Sequence, residues 1–198
     1  MRRAAALVFA ALLGGCALFP QPGDGPVRVG APQAERSAWI VGVSGHAIGQ
    51  ATFRSAPGGV LIRLEFSERA LPPGWHGVHL HQVGDCADFA SGFLAAGPHL
   101  GAQPRVSHGY LHAAGPEAGD LPNLFASPQG VFGAEFFAPY AILGPDRVPG
   151  NANRRERVAL LDADGAALVI HAAPDDHASQ PIGNAGARIA CAALTPLP

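Results

Sequence analysis

The chain contains no lysine: all 13 of its basic residues are arginine, scattered along 198 residues with a formal net charge of −2. That excludes the clustered basic stripe that nucleic-acid binding requires. Helical periodicity is almost absent, and no internal repeat is visible. The 26 glycines and 19 prolines are spread along the whole chain, a pattern of many turns and short strands rather than long helices. Charged residues make up 14% of the chain and hydrophobic residues 48%, which argues against wholesale disorder. The apolar run Ala4 to Leu13 falls short of the roughly 20 residues needed to span a bilayer. Cysteine is scarce, with three in all. The length suits one ordinary domain with short appendages.

What is present at the N-terminus is a targeting pattern. Arg2-Arg3 precedes the apolar run, and Leu13-Gly14-Gly15-Cys16 follows it directly. This resembles a bacterial lipoprotein signal, in which residues 1–15 are removed and Cys16 is acylated. An ordinary cleaved secretory leader is the other reading, and both deliver the chain outside the cytoplasm. The lipoprotein reading implies a periplasmic domain anchored by lipid to the cell envelope, at the outer membrane by analogy. Residues 16–36, rich in Pro, Gly and Ala, read as a flexible tether, and residues 37–198 as the domain. Setting Cys16 aside leaves Cys86 and Cys191, one even pair in an oxidising compartment. A bridge closing that loop contributes up to about 4–5 kcal/mol on the loop-entropy model.

Eight short strands can be read: Trp39–Val43, Gln50–Arg54, Val60–Phe66, Trp75–His81, Leu121–Ala126, Val131–Phe137, Ala167–His171 and Ala187–Leu194. The third alternates cleanly, with Val60, Ile62, Leu64 and Phe66 opposite Leu61, Arg63 and Glu65. The set predicts an antiparallel sandwich or barrel. Gln82 to Gly119 is far longer than an ordinary connection, and such loops are generally functional or disordered. It holds Cys86, His99, His108, His112 and Glu117 and borders Asp120, so a functional loop is expected. His79 and His81, two apart in a strand, leave the same face. Two imidazoles so placed form a clip suited to copper or zinc. Most of the nine histidines lie between His76 and His112, and His171 ends a later strand.

Four motifs then carry a resemblance. Gly74-Trp75-His76-Gly77-Val78-His79-Leu80-His81, Gly97-Pro98-His99, Gly119-Asp120-Leu121-Pro122-Asn123 and Gly183-Asn184-Ala185-Gly186-Ala187-Arg188-Ile189-Ala190-Cys191 are similar to the copper/zinc superoxide dismutases of the bacterial exported kind. The resemblance implies an all-β, eight-stranded antiparallel Greek-key barrel with two long functional loops. It implies copper on His79, His81, His99 and His171, and zinc on His99, His108, Asp120 and the position of Glu117. His99 would bridge both metals and carry a proton, and Arg188 would draw in the superoxide anion. Asp175 would link a copper histidine to a zinc histidine, His76 would be structural, and Cys86 and Cys191 would form the family disulfide. The departure is Glu117, where the family places a histidine. A carboxylate binds zinc at roughly 2.0–2.2 Å, so a mixed site is one reading and an empty zinc site the other. His112 lies on the same stretch but matches no family motif. His46 and His177 read as solvated.

The implied reaction is dismutation of superoxide to dioxygen and hydrogen peroxide. The rivals are a copper-binding or copper-buffering envelope lipoprotein with little or no dismutase activity and a catalytically silent barrel. Arg188 argues against the first, since storage has no need of an anion-docking group. The four histidines argue against the second.

Overall fold

The structure is a computed structural model that describes residues 34–67, 69–129, 133–150 and 155–196. The leader, Cys16 and the tether up to residue 33 lie outside the described residues, as does Arg154. Eleven strands are present among them: β1 Glu35–Gly42, β2 Ala47–Ala56, β3 Gly59–Phe66, β4 Gly74–His76, β5 Val78–His81, β6 Leu124–Ala126, β7 Gly133–Ala138, β8 Ala141–Ile142, β9 Val158–Ala159, β10 Ala166–His171 and β11 Arg188–Leu194. Among the described residues, helix is confined to two single 3-10 turns, Phe89–Ser91 and Leu94–Ala96.

Seven strands make one antiparallel sheet in the order β5-β10-β11-β1-β2-β3-β7. The alternation in β3 sets its inner face: Val60, Ile62, Leu64 and Phe66 are buried, and Arg63 meets its cross-strand neighbour Glu135 at 2.9 Å on the outer face. Val78 and Leu80 of edge strand β5 share one apolar cluster with Phe136 and Ala138 of the opposite edge, β7. Both edges therefore turn toward a common core, and the sheet is curled. β1 starts at Glu35, ahead of the expected domain boundary at Ser37, because Glu35 pairs with Arg54 in register and by ion pair.

The all-β class is as expected, but the strand divisions differ from the eight runs. The run Trp75–His81 breaks at Gly77, whose N–H donates to Ala173 O and whose carbonyl accepts from His171 N, both at 2.9 Å. β4 accordingly pairs with β6, while β5 pairs with β10. The two-residue strands β8 and β9 pair in parallel within a stretch that the sequence presents as loop.

β5 and β10 are buried along their whole lengths. One face meets the core. The other is covered by the 82–120 loop, which the Cys86–Cys191 disulfide fastens to β11. Around that bridge, Phe93, Ala96, Ala167 and Val169 form a second, smaller apolar cluster.

Candidate metal centre

β5 positions the site. Val78 and Leu80 enter the core, so the period-two pleat turns His79 and His81 to the other face. The backbone of Leu80, between them, then fastens the loop twice. Its N–H donates to Gly119 O and its carbonyl accepts from Leu100 N, each at 2.8 Å. Isolated bridges follow, His81 with His99 and His79 with Asp120. On the neighbouring strand a register shift between Ile170 and His171 re-aims His171 toward the same space.

Each ring is fixed through one nitrogen. His81 Nδ1 donates to Gly97 O at 2.8 Å, His171 Nδ1 to Gly186 O at 3.1 Å, and His79 Nε2 to Asp175 at 3.0 Å. His99 Nδ1 lies 2.9 Å from Glu117 Oε2 and 3.4 Å from Asp120 Oδ1. The remaining nitrogens, His79 Nδ1, His81 Nε2, His99 Nε2 and His171 Nε2, are buried and have no hydrogen-bond partner. An orphaned buried polar atom costs about 1–3 kcal/mol. Four of them converge here, because the four residues' ligand atoms lie within 4.8 Å of one another. Such a pocket of bare imidazole nitrogens fits a copper ion.

Beside it a second set, His79, His99, His108 and Asp120, satisfies the same 4.8 Å criterion. His108 Nδ1 stands 2.8 Å from Asp120 Oδ1, and His108 Nε2 stands 3.0 Å from Asp175 Oδ1. Nitrogen and carboxylate donors in this mix suit zinc. Glu117 touches His99 but does not share the mutual convergence of that set.

The family model for copper/zinc superoxide dismutase matches residues 47–194, most of the chain. The chain belongs to the copper/zinc superoxide dismutase family. A copper–zinc superoxide dismutase of Caulobacter vibrioides is 43% identical over 146 residues, 74% of this chain and 77% of that protein. One from Aquifex aeolicus is 34% identical over 158 residues, covering 79% of this chain and 84% of its own length. The crystal structure of a superoxide dismutase-like protein from Bacillus subtilis superposes with a TM-score of 0.68 at 31% identity, over 81% of this chain and 99% of that one.

Electrostatics divide this copper/zinc dismutase site in two. Burial pushes the His79 imidazolium down to about 4 and that of His171 to about 3, and lowers His81 as well, so these rings are neutral. His108 goes the other way. Burial opposes its charge, but bonds to Asp120 and Asp175 raise it to about 10. His99 is also raised, with its contacts to Asp120 and Glu117 outweighing burial. Burial disfavours the charged forms of Asp120 and Asp175, yet their imidazole partners hold both well below the usual carboxylate range.

Arg188, at the start of β11, donates to Phe93 O and Gly97 O, both at 2.7 Å, and lines one cavity with His99, Glu117, Leu94 and Ile182. The other marked histidines stand apart. His76 is buried with its two ring nitrogens against Pro72 O and His171 O, and His46 is exposed. His112 Nδ1 accepts from Ala114 N within its own turn. His177 is half-buried rather than fully solvated, since Asn123 and Asp175 flank its ring.

Sequence reasoning assigned no part to Asn123. Its amide accepts from Asp175 N and donates to Asp175 O, each at 2.8 Å, which fixes the backbone of the residue between the two histidines. Its only signal was its place at the end of the Gly119–Asn123 motif. Gly97 O, shared by His81 and Arg188, carries no signal at all, because a backbone carbonyl is common to every residue.

Proposed function

We propose that this protein dismutes superoxide to dioxygen and hydrogen peroxide in the cell envelope. The observation that carries the reading is the set of four orphaned, convergent imidazole nitrogens beside an arginine-lined cavity. His79, His81, His99 and His171 would hold copper, and His99, His108 and Asp120 would hold zinc, with Glu117 against His99 and outside the converging donors. Bound copper supplies one-electron chemistry that both oxidises and reduces superoxide, which zinc, lacking redox activity, does not. Arg188 offers two carbonyl-anchored guanidinium nitrogens in the cavity wall and draws the substrate anion toward His99. Each pair of superoxide anions takes up two protons; His99, in the wall of the cavity that Arg188 lines, would relay one of them and solvent would supply the other. Asp175 keeps His79 and His108 in their tautomers.

The envelope location draws its support from Arg2-Arg3, the apolar run and Leu13-Gly14-Gly15-Cys16, together with a disulfide that oxidising compartments favour. Lipid on Cys16 would anchor the domain. Labelling cells with a radioactive fatty acid tests this: Cys16→Ser should abolish incorporation, and retained label would refute the anchor.

The activity is tested with purified, copper-loaded protein, by following superoxide removal. Arg188→Ala should lower kcat/KM by about 10-fold or more. Removal no faster than that of free copper would sink the enzyme reading and leave a copper-binding lipoprotein.

A further inference from the structure

Glu117 occupies the place where the family pattern has a histidine, and its position is not that of a simple replacement ligand. Its side chain is buried, and Oε2 reaches His99 Nδ1 at 2.9 Å. Its own backbone is held in place: Glu117 N donates to Asp120 Oδ2 at 2.8 Å, and Asp120 N returns a bond to Glu117 O at 3.3 Å. It is absent from the convergent set that joins His99 to His108 and Asp120. On the far side of the His99 ring, Nε2 is buried, unpartnered and grouped with the copper nitrogens of His79, His81 and His171.

In a metal-bridging imidazole, a cation on one nitrogen orients the ring and leaves the other nitrogen aimed at the second metal. A carboxylate that accepts a hydrogen bond from Nδ1–H does the same, because it fixes both ring orientation and tautomer. We infer that Glu117 is a positioning residue that takes over zinc's role toward His99, so that the copper pocket is complete without zinc. This rests on the four-histidine copper reading above. Zinc in the adjacent site is then an addition to the copper centre and not a condition for it. Asp120, at 3.4 Å from the same nitrogen, is too distant to hold the ring alone.

The test uses the full chain, stripped of metal by chelator dialysis and given one equivalent of Cu(II) without zinc. Copper affinity is read by competition with a chelator of known affinity, and the ligand field by electron paramagnetic resonance. For the unmodified protein, adding zinc should change copper affinity by less than about threefold, far below the 10–100-fold that loss of a ring-orienting partner costs. Glu117→Ala should weaken zinc-free copper binding by about 10–100-fold and broaden the spectrum. Glu117→Gln, whose amide oxygen still accepts from Nδ1–H, should stay within about threefold of the parent. A gain of threefold or more on adding zinc to the parent protein overturns the inference, as does an alanine variant that binds copper like the parent. Thermal melting reports whether each variant folds; if the alanine variant does not, the zinc-addition and glutamine results still decide. A parent protein that shows no four-nitrogen copper spectrum even with both metals supplied would instead refute the copper site itself.

Discussion

At the scale of single residues, Asp175 joins the two halves of the site. One oxygen meets His79 and the other His108, and a Cβ at Gly183, where φ is +60°, would run into that carboxylate. Asp175→Asn places an N–H donor against one of two rings that need an acceptor. Copper affinity should fall by about 10–100-fold, measured by chelator competition. Protonation separates the metals further. His79, His81 and His171 are neutral near pH 7, so their nitrogens would take copper without releasing a proton. Zinc must displace protons from both His99 and His108, the latter raised to about 10. A group held protonated releases more readily as pH rises, so each displaced proton adds up to about tenfold in affinity per pH unit. Zinc affinity should therefore climb more steeply than copper affinity between pH 6 and 8 in calorimetric titrations; equal slopes would contradict the assignment. The shared face of His79 and His81 was legible in the sequence, since residues two apart in a strand must share a face, while the other candidate ligands rested on the family resemblance. Their tautomers were not legible, because Gly97 O and Gly186 O are backbone groups with no sequence mark.

Among the elements, the 82–97 segment links covalent structure to electrostatics. Phe93 O and Gly97 O hold the Arg188 guanidinium, Gly97 O also holds His81, and Cys86 ties the segment to β11 three residues beyond Arg188. Replacing both cysteines by serine should lower stability by about 2–5 kcal/mol, seen as a lower Tm. It should also reduce kcat/KM for superoxide, since the arginine loses its fixed carbonyls. Unchanged kinetics in a destabilised variant would show that Phe93 and Ala96 pin the segment unaided. The alternation of β3 could be read directly, because one face meets apolar core and the other water. The break at Gly77 could not. It depends on backbone bonds to residues about a hundred positions away, and the β8–β9 pair is too short to leave any periodicity.

At the scale of the whole molecule, charge is sparse, and several of the described arginines are engaged locally. Arg54 pairs with Glu35 and Arg63 with Glu135, Arg155 lies 4.7 Å over the Tyr140 ring, and Arg157 donates to Pro57 O. Among the described residues lining the cavity beside His99, Arg188 is the one cation. Attraction of an anion should thus depend on a single charge within a chain of net charge −2. Raising ionic strength toward 1 M, where the Debye length is about 3 Å, should lower kcat/KM for the parent protein but leave Arg188→Ala nearly flat. Parallel salt slopes would place the steering charge elsewhere. The absence of lysine was visible in the sequence and the family resemblance singled out Arg188, but the carbonyls that hold its guanidinium, Phe93 O and Gly97 O, left no mark there.

The double tie at Leu80 has a consequence for chain integrity. It holds the loop at Leu100 and Gly119, while His108 is secured separately through Asp120, Asp175 and Gln180. The exposed tip between them, Gln103 to Arg105, carries no such fastening to β5. Trypsin, confined to arginine in a protein without lysine, should nick after Arg105. The two halves would stay joined by a disulfide whose cysteines stand 105 residues apart, separating on a gel only after reduction. The nicked molecule should keep its copper, so the centre would survive as a property of two peptides rather than one.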